Sequence, residues 1–584
     1  MEMHLYPSRL SQRRALEEAV TRREVILGEP HLTYPDFFER LYLELRLGPP
    51  PIGSSARKIF LQHTVAKART DPPDENSERK QVHHPGLIAE YGEAISELKR
   101  AALLPDDLRE TWRGLSGSDL VEAEEIRLLD GVYRAYQGLL DRLGVVDEEE
   151  RDLRLLQYLR QNLRRVPEIP CLKGVERLVL HNLYHLSLVD HAILSCLIRT
   201  LPAGATLIYF TRSENVTATQ FAERTWQRFV EDEALADAAL PEFALARRRR
   251  GNLDEVQQRL FLFPDRPDPI REEDGSVEVW SAAGRDREVE EIGREIRRLI
   301  DGGTPPERIA VLIRNLDRYA EPMEEVARRF RIPVALRRQT PLFHLPIVKW
   351  VFSLLELPAA GFERAAFLKV LASGYLSWEH GKAAEAAGLL HGSDYLRPDL
   401  KPIEDCLSSD DMFAREIGER AAEIRMRLDA LSRTMGGFRT FVAGAAELID
   451  SLSVPKNLVL NASTPLFLLE RDRRGLDALF EVLEETARIF DRLGNKPLRY
   501  ADFLAFASQE VAAETLPDQT VSDGAVAVLG VGDVLGLTFD VVFLPGLVDT
   551  EFPTIARENL VLSDRAKRHL NRTARAVLPD RHAG

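Results

Sequence analysis

The sequence has only three cysteines and no long apolar run. Cys171, Cys196 and Cys406 are widely separated and match no metal-ligand spacing and no disulfide framework, so we expect buried, reduced thiols. No apolar stretch approaches the roughly 20 residues that a membrane-spanning helix needs. The charged N-terminus lacks the apolar core of a secretory signal. These absences predict a soluble cytoplasmic chain, and its 584 residues are too many for a single core.

The groups that a nucleotide-hydrolysing motor needs are also missing. A phosphate-binding loop has the pattern G-x-x-x-x-G-K-[ST], in which the lysine reaches the phosphates and the hydroxyl binds magnesium. The one Gly-Lys pair, Gly381–Lys382, is followed by alanine, and no lysine in the chain precedes Ser or Thr. His181 and Asn182 follow the buried strand after which magnesium-binding carboxylates are expected. We therefore predict that this chain alone hydrolyses no ATP and holds no cofactor.

Other catalytic patterns are equally weak. Glu97-Leu98-Lys99 matches the E-x-K of restriction-type nucleases, but it lies on a predicted helix. His181, His185 and His191 do not have the spacing of a zinc site. No catalytic residue and no metal ligand are predicted.

The net charge of −15 argues against a protein that coats DNA through a general basic surface. The net charge does not exclude a local channel lined by basic residues. The candidate DNA contacts are Arg247 and Arg248, in a run of four arginines, and Arg337, Arg338 and Gln339, at the end of a predicted strand. The alternative for both groups is an ordinary solvated face.

The first half of the chain alternates between helical and strand patterns. The polar stretch 70–86 is typical of a loop, and 87–165 has apolar residues at helical spacing. Between residues 175 and 210, two β-rich runs flank a helix, which predicts a βαβ unit. The Pro-rich and charged stretch 263–276 indicates a connection between domains.

Strands and helices alternate again after this connection. Strands are predicted for SVEVWSA (276–282), ERIAVLI (307–313) and PVALRR (333–338), with helices at 285–301 and around 319–330. Helical patterns fill 345–515, and VAVLGV (526–531) and DVVFLPG (540–546) then resume buried-strand character. The pattern indicates a doubly wound parallel sheet interrupted by a large helical insert.

Two segments resemble the second motor domain of UvrD-type superfamily-one helicases. The stretch that begins at ERIAVLIRN is similar to the fourth motif of that family, and Arg314 matches the arginine that reaches the γ-phosphate. VLGVGDVLGLTFDVVFLPGLVDTEFP is similar to the fifth motif and its continuation. The matching residues are Gly536, Leu537, Phe539, Asp540, Gly546, Leu547, Phe552 and Pro553. The resemblance implies that Arg314, Gly536, Leu537 and Asp540 border a degenerate nucleotide cleft.

The departures from this family are informative. Gly532 and Leu535 stand where active helicases have histidine and lysine, Thr538 replaces a glutamate, and the sixth motif has no match. With the phosphate loop also missing, the chain resembles the AddB-type subunit of bacterial helicase–nuclease complexes. The stretch 176–210 is similar to the degenerate second motif of these subunits, with His181-Asn182-Leu183 at its centre.

This resemblance implies an α/β fold with two RecA-like parallel α/β domains, each carrying a mainly helical insert. We expect the first domain at 1–86 and 171–262 around an insert at 87–170. The second is expected at 277–345 and 519–584 around an insert at 346–518. The nuclease region of the family and its iron–sulfur cysteines have no match in this sequence, which leaves open a truncated member or a gene fragment.

The resemblance also implies a function. It predicts a catalytically degenerate, DNA-binding scaffold in a complex that acts in double-strand break repair and recombination. An AddA-type motor subunit would be its partner and would carry ATP and Mg²⁺. Two alternatives stay open: an active superfamily-one helicase with a divergent nucleotide site, and a protein-interaction scaffold that does not contact DNA.

Overall fold

A computed structural model gives the fold of most of the chain. It describes residues 2–22, 29–68, 85–202, 204–210, 219–232, 235, 251–261, 274–336, 339–371, 373–376, 410, 412–460, 466–517, 524–549, 551–552, 557–574 and 578. The chain forms two compact units, Met1–Leu336 with Thr520–Gly584, and Arg337–Gln519. The predicted loop at 70–86 and connection at 263–276 lie almost wholly outside the described residues. Helices and strands are numbered below in chain order.

The larger unit begins with a four-stranded parallel sheet. The strands are β1 (Glu2–Tyr6), β2 (His31–Thr33), β3 (Arg177–His181) and β4 (Thr206–Tyr209), and the helices are α1 (Arg9–Thr21), α2 (Tyr34–Glu44), α8 (Leu188–Ile198) and α9 (Gln220–Glu231). The strand order is β2-β1-β3-β4. Met3 and Leu5 alternate with more exposed neighbours and reach a core that they share with Phe37 and Phe38. A parallel sheet needs helices on its faces because its connections cross over. The predicted βαβ unit is therefore confirmed.

Helices fill the chain between β2 and β3, as their apolar spacing predicted. They are α3 (Ser54–Ala68), α4 (Pro85–Arg100), α5 (Pro105–Gly114), α6 (Leu120–Leu143) and α7 (Glu148–Gln161). Lys99 of α4 is fully buried, and its Nζ lies 2.9 Å from Asp147 Oδ2. Asp147 also caps α7 by accepting a hydrogen bond from the Glu150 amide at 2.8 Å. The Glu97–Lys99 pattern is thus helical, as expected, and Lys99 joins two helices.

A second parallel sheet belongs to the same unit. The strands are β5 (Ile309–Ile313), β6 (Val334–Leu336), β11 (Val526–Gly530) and β12 (Val541–Phe543), and the helices are α10 (Asn252–Arg259), α11 (Arg285–Asp301) and α12 (Leu316–Phe330). The strand order is β12-β5-β11-β6. The central strand β5 is buried throughout, and Val289, Ile292 and Ile296 of α11 pack on it. Two parallel sheets with many helices confirm the predicted fold class.

The last described segment leaves the second sheet and packs on the first helical group. Its helix α20 (Asp564–Ala574) contacts α5 and α6, and Leu562, Ala566 and Leu570 are fully buried. The Lys567 Nζ lies 2.8 Å from Glu97 Oε1, and the Ser563 hydroxyl donates to Glu125 at 2.8 Å. This segment therefore ties the second sheet to the helices that belong with the first.

The smaller unit is mainly helical. Its core is built from Phe438, Phe441 and Phe503 and many leucines. Its helices are α13 (Pro346–Leu355), α14 (Arg364–Leu371), α15 (Met412–Ser432), α16 (Phe438–Ser451), α17 (Val454–Leu460), α18 (Leu466–Arg492) and α19 (Tyr500–Ala513). Two short antiparallel pairs complete it: β7 (Gln339–Pro341) with β10 (Thr515–Pro517), and β8 (Met435–Gly436) with β9 (Leu498–Arg499). The predicted domain boundaries stay predictions.

Two strand predictions are wrong in detail. SVEVWSA (276–282) forms no strand, and its Val279 is 92% exposed. DVVFLPG was expected to be a buried strand, but only Val541–Phe543 is a strand, it lies at the edge of the sheet, and Val542 is exposed. Apolar alternation shows which side chains could face a core, but not whether a neighbouring strand is present to pair with them.

In the part of the chain that the structure covers, no helix is both long enough and apolar enough to cross a membrane.

The buried pair of Lys99 and Asp147 generates a stability prediction. Lys99→Met should lower the free energy of unfolding by about 3–5 kcal/mol, because it leaves Asp147 as an unpaired buried charge. The double variant Lys99→Met with Asp147→Leu should recover much of that loss. Arg127→Ala, which removes an exposed pair with Glu124, should change it by less than about 0.5 kcal/mol. Urea unfolding followed by circular dichroism measures all three, and equal losses for Lys99→Met and Arg127→Ala would contradict the assignment.

Candidate nucleotide cleft and nucleic-acid surface

The connection between β1 and α1 is very short. β1 ends at Tyr6 and α1 begins at Arg9, so only Pro7 and Ser8 lie between them. Ser8 is the N-cap of α1: its side chain accepts the Ser11 amide hydrogen at 3.2 Å, and the Ser11 hydroxyl in turn lies 3.3 Å from the Ser8 amide nitrogen. Two backbone amides at this turn, those of Ser8 and Ser11, are thus engaged by serine side chains.

The end of β3 supplies histidine and asparagine where a motor has carboxylates. Asn182 takes a left-handed conformation at φ +50°, its amide donates to the Tyr209 carbonyl at 2.8 Å, and its side-chain oxygen accepts from the Tyr184 hydroxyl at 2.8 Å. Within the described residues, no group of three or more His, Cys, Asp or Glu side chains could hold a metal ion. The chemistry of this strand end therefore does not suit a magnesium ion.

The turn after β11 lies against this strand end and α1. Gly536 has φ +80°, and a Cβ placed there would lie 3.4 Å from the Asn182 side-chain nitrogen and 3.6 Å from Ser11 Cβ. Glycine is favoured here by its left-handed backbone, since the two distances are ordinary van der Waals contacts. The predicted cleft residue Gly536 thus faces the strand and helix ends of the first sheet.

Apolar side chains occupy the same place. Leu10 of α1 packs in one cluster with Val534, Leu537 and Phe539 of the turn, and this cluster rests on Ala310, Leu312 and Leu529 of the second sheet. The predicted residue Leu537 is thus part of a hydrophobic contact between the two halves of the unit. A nucleoside triphosphate is strongly charged and needs polar partners at such a position, which this contact does not provide.

The other two predicted cleft residues lie away from this contact. Arg314 directly follows β5 and is exposed. Asp540 is exposed at the start of β12, where its amide donates to the Arg308 carbonyl at 2.8 Å and its carboxylate lies 3.5 Å from the Arg308 guanidinium. Both stay predictions as nucleotide-cleft residues.

A polar cluster that we did not predict fixes the Gly546 turn. The Glu288 carboxylate of α11 accepts the Gly546 amide hydrogen at 2.9 Å and the Tyr319 hydroxyl hydrogen at 2.8 Å. Arg285 lies over the Tyr319 ring, 5.2 Å from its centroid. An acidic residue in the first turn of a predicted helix is common, so Glu288 could be recognised only once Gly546 was known to lie beside it.

The residues predicted to contact DNA are not tested. Arg247, Arg248, Arg337 and Arg338 lie outside the described residues, and Gln339 begins β7 with a side chain that is not described. They stay predictions.

A cavity of about 1160 Å³ lies in the larger unit between α2, α3, α4, α7 and α9 and the loop that follows β3. Tyr34, Phe38 and Tyr184 give it aromatic walls, and Arg224 and Arg228 of α9 line it. Arg228 donates to the Leu186 carbonyl at 2.9 Å, and burial together with the neighbouring Arg224 lowers its pKa. Sequence reasoning missed this cavity because its walls come from segments far apart in the chain.

A row of rings crosses the first sheet. His31, His4, His181 and Tyr209 stand on neighbouring strands with centroid distances of 4.6, 5.3 and 5.3 Å. His4 Nδ1 and His181 Nε2 are 3.0 Å apart, within hydrogen-bond distance. Burial, with the positive charge that His4 and His31 can carry, lowers the pKa of His181 to about 4. His181 is therefore neutral near pH 7.

The two sheets, the short first turn and the glycine turn between them define a helicase-like α/β protein. The chain is similar to the B-type subunit of the ATP-dependent helicase/deoxyribonuclease of Moorella thermoacetica, with 24% identity over 591 positions, 91% of this chain and 48% of that protein. Proteins of the same name from Oceanobacillus iheyensis and Geobacillus thermodenitrificans are 23% and 26% identical over 52% and 46% of this chain.

The predicted resemblance to AddB-type subunits is confirmed by these relatives. The chain spans about half the length of the Moorella thermoacetica protein and covers about a quarter of each of the other two. No family model matches the chain.

The ring row generates a pH prediction. Because the folded pKa of His181 lies below the usual value of 6.5, the unfolded chain binds a proton more readily between pH 6.5 and about 4. The stability that the fold gains from a neutral His181 is fully present above pH 6.5 and is lost as the pH falls from 6.5 to about 4. His181→Phe should make the melting temperature less dependent on pH there.

Differential scanning fluorimetry from pH 7.5 to 4 measures this effect. His344→Phe, which replaces an exposed histidine, is the matched control and should follow the unchanged protein. Parallel curves for His181→Phe and the unchanged protein would show that His181 does not titrate as described.

Proposed function

We propose that this chain is a helicase-like, DNA-binding subunit of an ATP-dependent helicase–nuclease assembly, and that its own motor site is inactive. Such an assembly would act in the cytoplasm in double-strand break repair and recombination. The relatives are named as the B-type subunit of an ATP-dependent helicase/deoxyribonuclease, which supports the kind of assembly.

The main support for an inactive motor site is the short turn between β1 and α1. Two residues cannot form the loop that wraps phosphates, and Ser8 and Ser11 already satisfy amide groups there. Leu10, packed with Leu537, adds an apolar contact at the same place. Asn182 follows β3 in place of a carboxylate. ATP and Mg²⁺ would therefore be handled by a motor partner of AddA type.

The cavity beside α9 is the surface that best suits a nucleic-acid strand. Arg224 makes no ion pair or hydrogen bond within the described part of the chain, and Arg228 donates only to a carbonyl. Tyr34 and Tyr184 offer flat rings on the same cavity. Backbone phosphates beside arginines and bases beside aromatic rings are the usual contacts of single-stranded DNA. The net charge of −15 then confines binding to such local sites.

The purified chain should show no DNA-stimulated ATP hydrolysis. Release of phosphate should match that of a blank preparation, with or without single-stranded DNA, because neither a lysine nor a magnesium carboxylate is in place. Mg²⁺-ATP should also leave the melting temperature unchanged, since a ligand that binds only the folded state raises it. ATP hydrolysis by the purified chain that is abolished in Arg314→Ala would refute the inactive motor site. It would favour the alternative of an active helicase with a divergent nucleotide site.

The chain should bind a single-stranded oligonucleotide with an affinity that falls steeply with salt. Arg224→Ala should weaken binding several-fold and reduce the slope of log K against log [salt] by about one. Fluorescence anisotropy at several salt concentrations measures both quantities.

Arg142→Ala is the matched control, since Arg142 lies at the exposed end of α6, outside the cavity. It removes the same charge and should leave the slope unchanged. If no binding is detected at low salt, the result would instead support the alternative of a protein-interaction scaffold that does not contact DNA.

A further inference from the structure

A second cavity, of about 570 Å³, lies between the end of α7, α8 and the end of α9. Leu156, Leu163, Val189 and Ala192 give it an apolar wall. Its polar lining consists of Arg160, His191, Ser195, Arg199, Arg228, Glu231 and Asp232. The volume falls in the range of small-molecule sites, roughly 300–1,000 Å³.

Positive charge in this cavity is only partly neutralised. Arg160 makes no ion pair or hydrogen bond within the described residues, and Arg228 donates only to the Leu186 carbonyl. Asp232 lies 3.6 Å from Arg199 and accepts the Ser195 hydroxyl hydrogen at 2.7 Å. Elsewhere in the same unit arginines are ion-paired, as Arg57, Arg100 and Arg134 are. Two guanidinium groups thus face the cavity without a carboxylate of their own.

A buried imidazole adds a second, independent observation. His191 lines the cavity, is only 7% exposed, and its Nε2 has no hydrogen-bond partner within the described part of the chain. Its Nδ1 lies 3.4 Å from the Ser195 hydroxyl. Leaving a buried ring nitrogen unpaired costs stability, so such an atom calls for a partner. Because burial lowers the pKa of His191 to about 4, the ring is neutral at pH 7 and can donate one N–H.

We propose that this cavity is a binding site for a phosphate ester. The guanidinium groups of Arg160 and Arg228 would hold the phosphate oxygens, because their planar donors match phosphate geometry. The apolar wall of Leu156, Leu163 and Val189 would take the base or sugar attached to the phosphate. The source is either a free mononucleotide or the terminal phosphate of a strand. The site does not depend on the inactive motor; it shares Arg228 with the first cavity, whereas Arg160 lines this cavity alone.

Calorimetry with deoxyadenosine monophosphate and with deoxyadenosine tests the phosphate requirement on the full chain. The monophosphate should bind and the nucleoside should not. Arg160→Ala should weaken binding by about tenfold, the effect of losing one charge-assisted hydrogen bond. The side chain of Arg160 is exposed, so this variant should fold normally. His191→Gln, which keeps a donor but changes its position, should also weaken binding.

Arg164→Ala is the matched control. Arg164 lies one turn further along, is exposed and does not line the cavity, so its loss changes the net charge equally. It should alter the affinity by less than about twofold, as exposed charges at a distance do.

A pair of oligonucleotides, with a 5′-phosphate and with a 5′-hydroxyl, separates the two sources. An Arg160-dependent preference for the phosphorylated strand, in place of monophosphate binding, would identify the end of a strand as the ligand. The proposal is overturned if phosphorylated and unphosphorylated probes behave alike, or if Arg164→Ala weakens binding as much as Arg160→Ala. Because Arg224 lies outside this cavity, failure here leaves the DNA prediction for Arg224→Ala intact.

Discussion

The close contact between the start of α1 and the glycine turn after β11 is the constraint on which the larger unit depends. Gly536 takes a positive φ, a conformation that glycine adopts readily, and this turn lies against Ser11 and Asn182. The same approach brings Leu10 against Leu537 and Phe539. In a motor the two α/β halves move because a nucleotide fills and leaves the space between them. In this chain Leu10 packs on the same buried cluster of the second sheet as Val534, Leu537 and Phe539, so apolar burial joins the two halves.

The segment that ends in α20 strengthens this arrangement. It leaves the second sheet and packs Leu562, Ala566 and Leu570 against the helices that belong with the first. Its polar side chains pair with Glu97 and Glu125 at the same surface. Two separate contacts, the glycine turn and α20, therefore join the halves. Such a join is compatible with the scaffold role that we propose.

Much of the fold could be predicted from the sequence because it follows local periodicity. The helix at 285–301 carries apolar residues at a spacing that places them on one face, and the strand at 309–313 is a short continuous apolar run that is buried on both faces. The errors at 276–282 and at Val542 have one cause: whether an apolar strand is buried depends on its neighbours in space. The departures from the motor motifs can also be read from the sequence, since a missing lysine is visible there. The role of Glu288 could not, because its partner Gly546 is 258 residues away.

The net charge can be read from the sequence, but the places where positive charge is left unpaired can be read only from the structure. A net charge of −15 describes the average surface, and most arginines in the helices around α6 and α7 are paired with acids. Arg160, Arg224 and Arg228 differ because none of them forms an ion pair within the described residues, although carboxylates such as Glu93 and Glu231 also line the two cavities. Long-range repulsion from the acidic surface is screened beyond roughly 8–10 Å at physiological salt, so a phosphate inside either cavity would interact mainly with the charged groups that line it. The proposed binding of nucleic acid at concave sites is therefore compatible with an acidic outer surface.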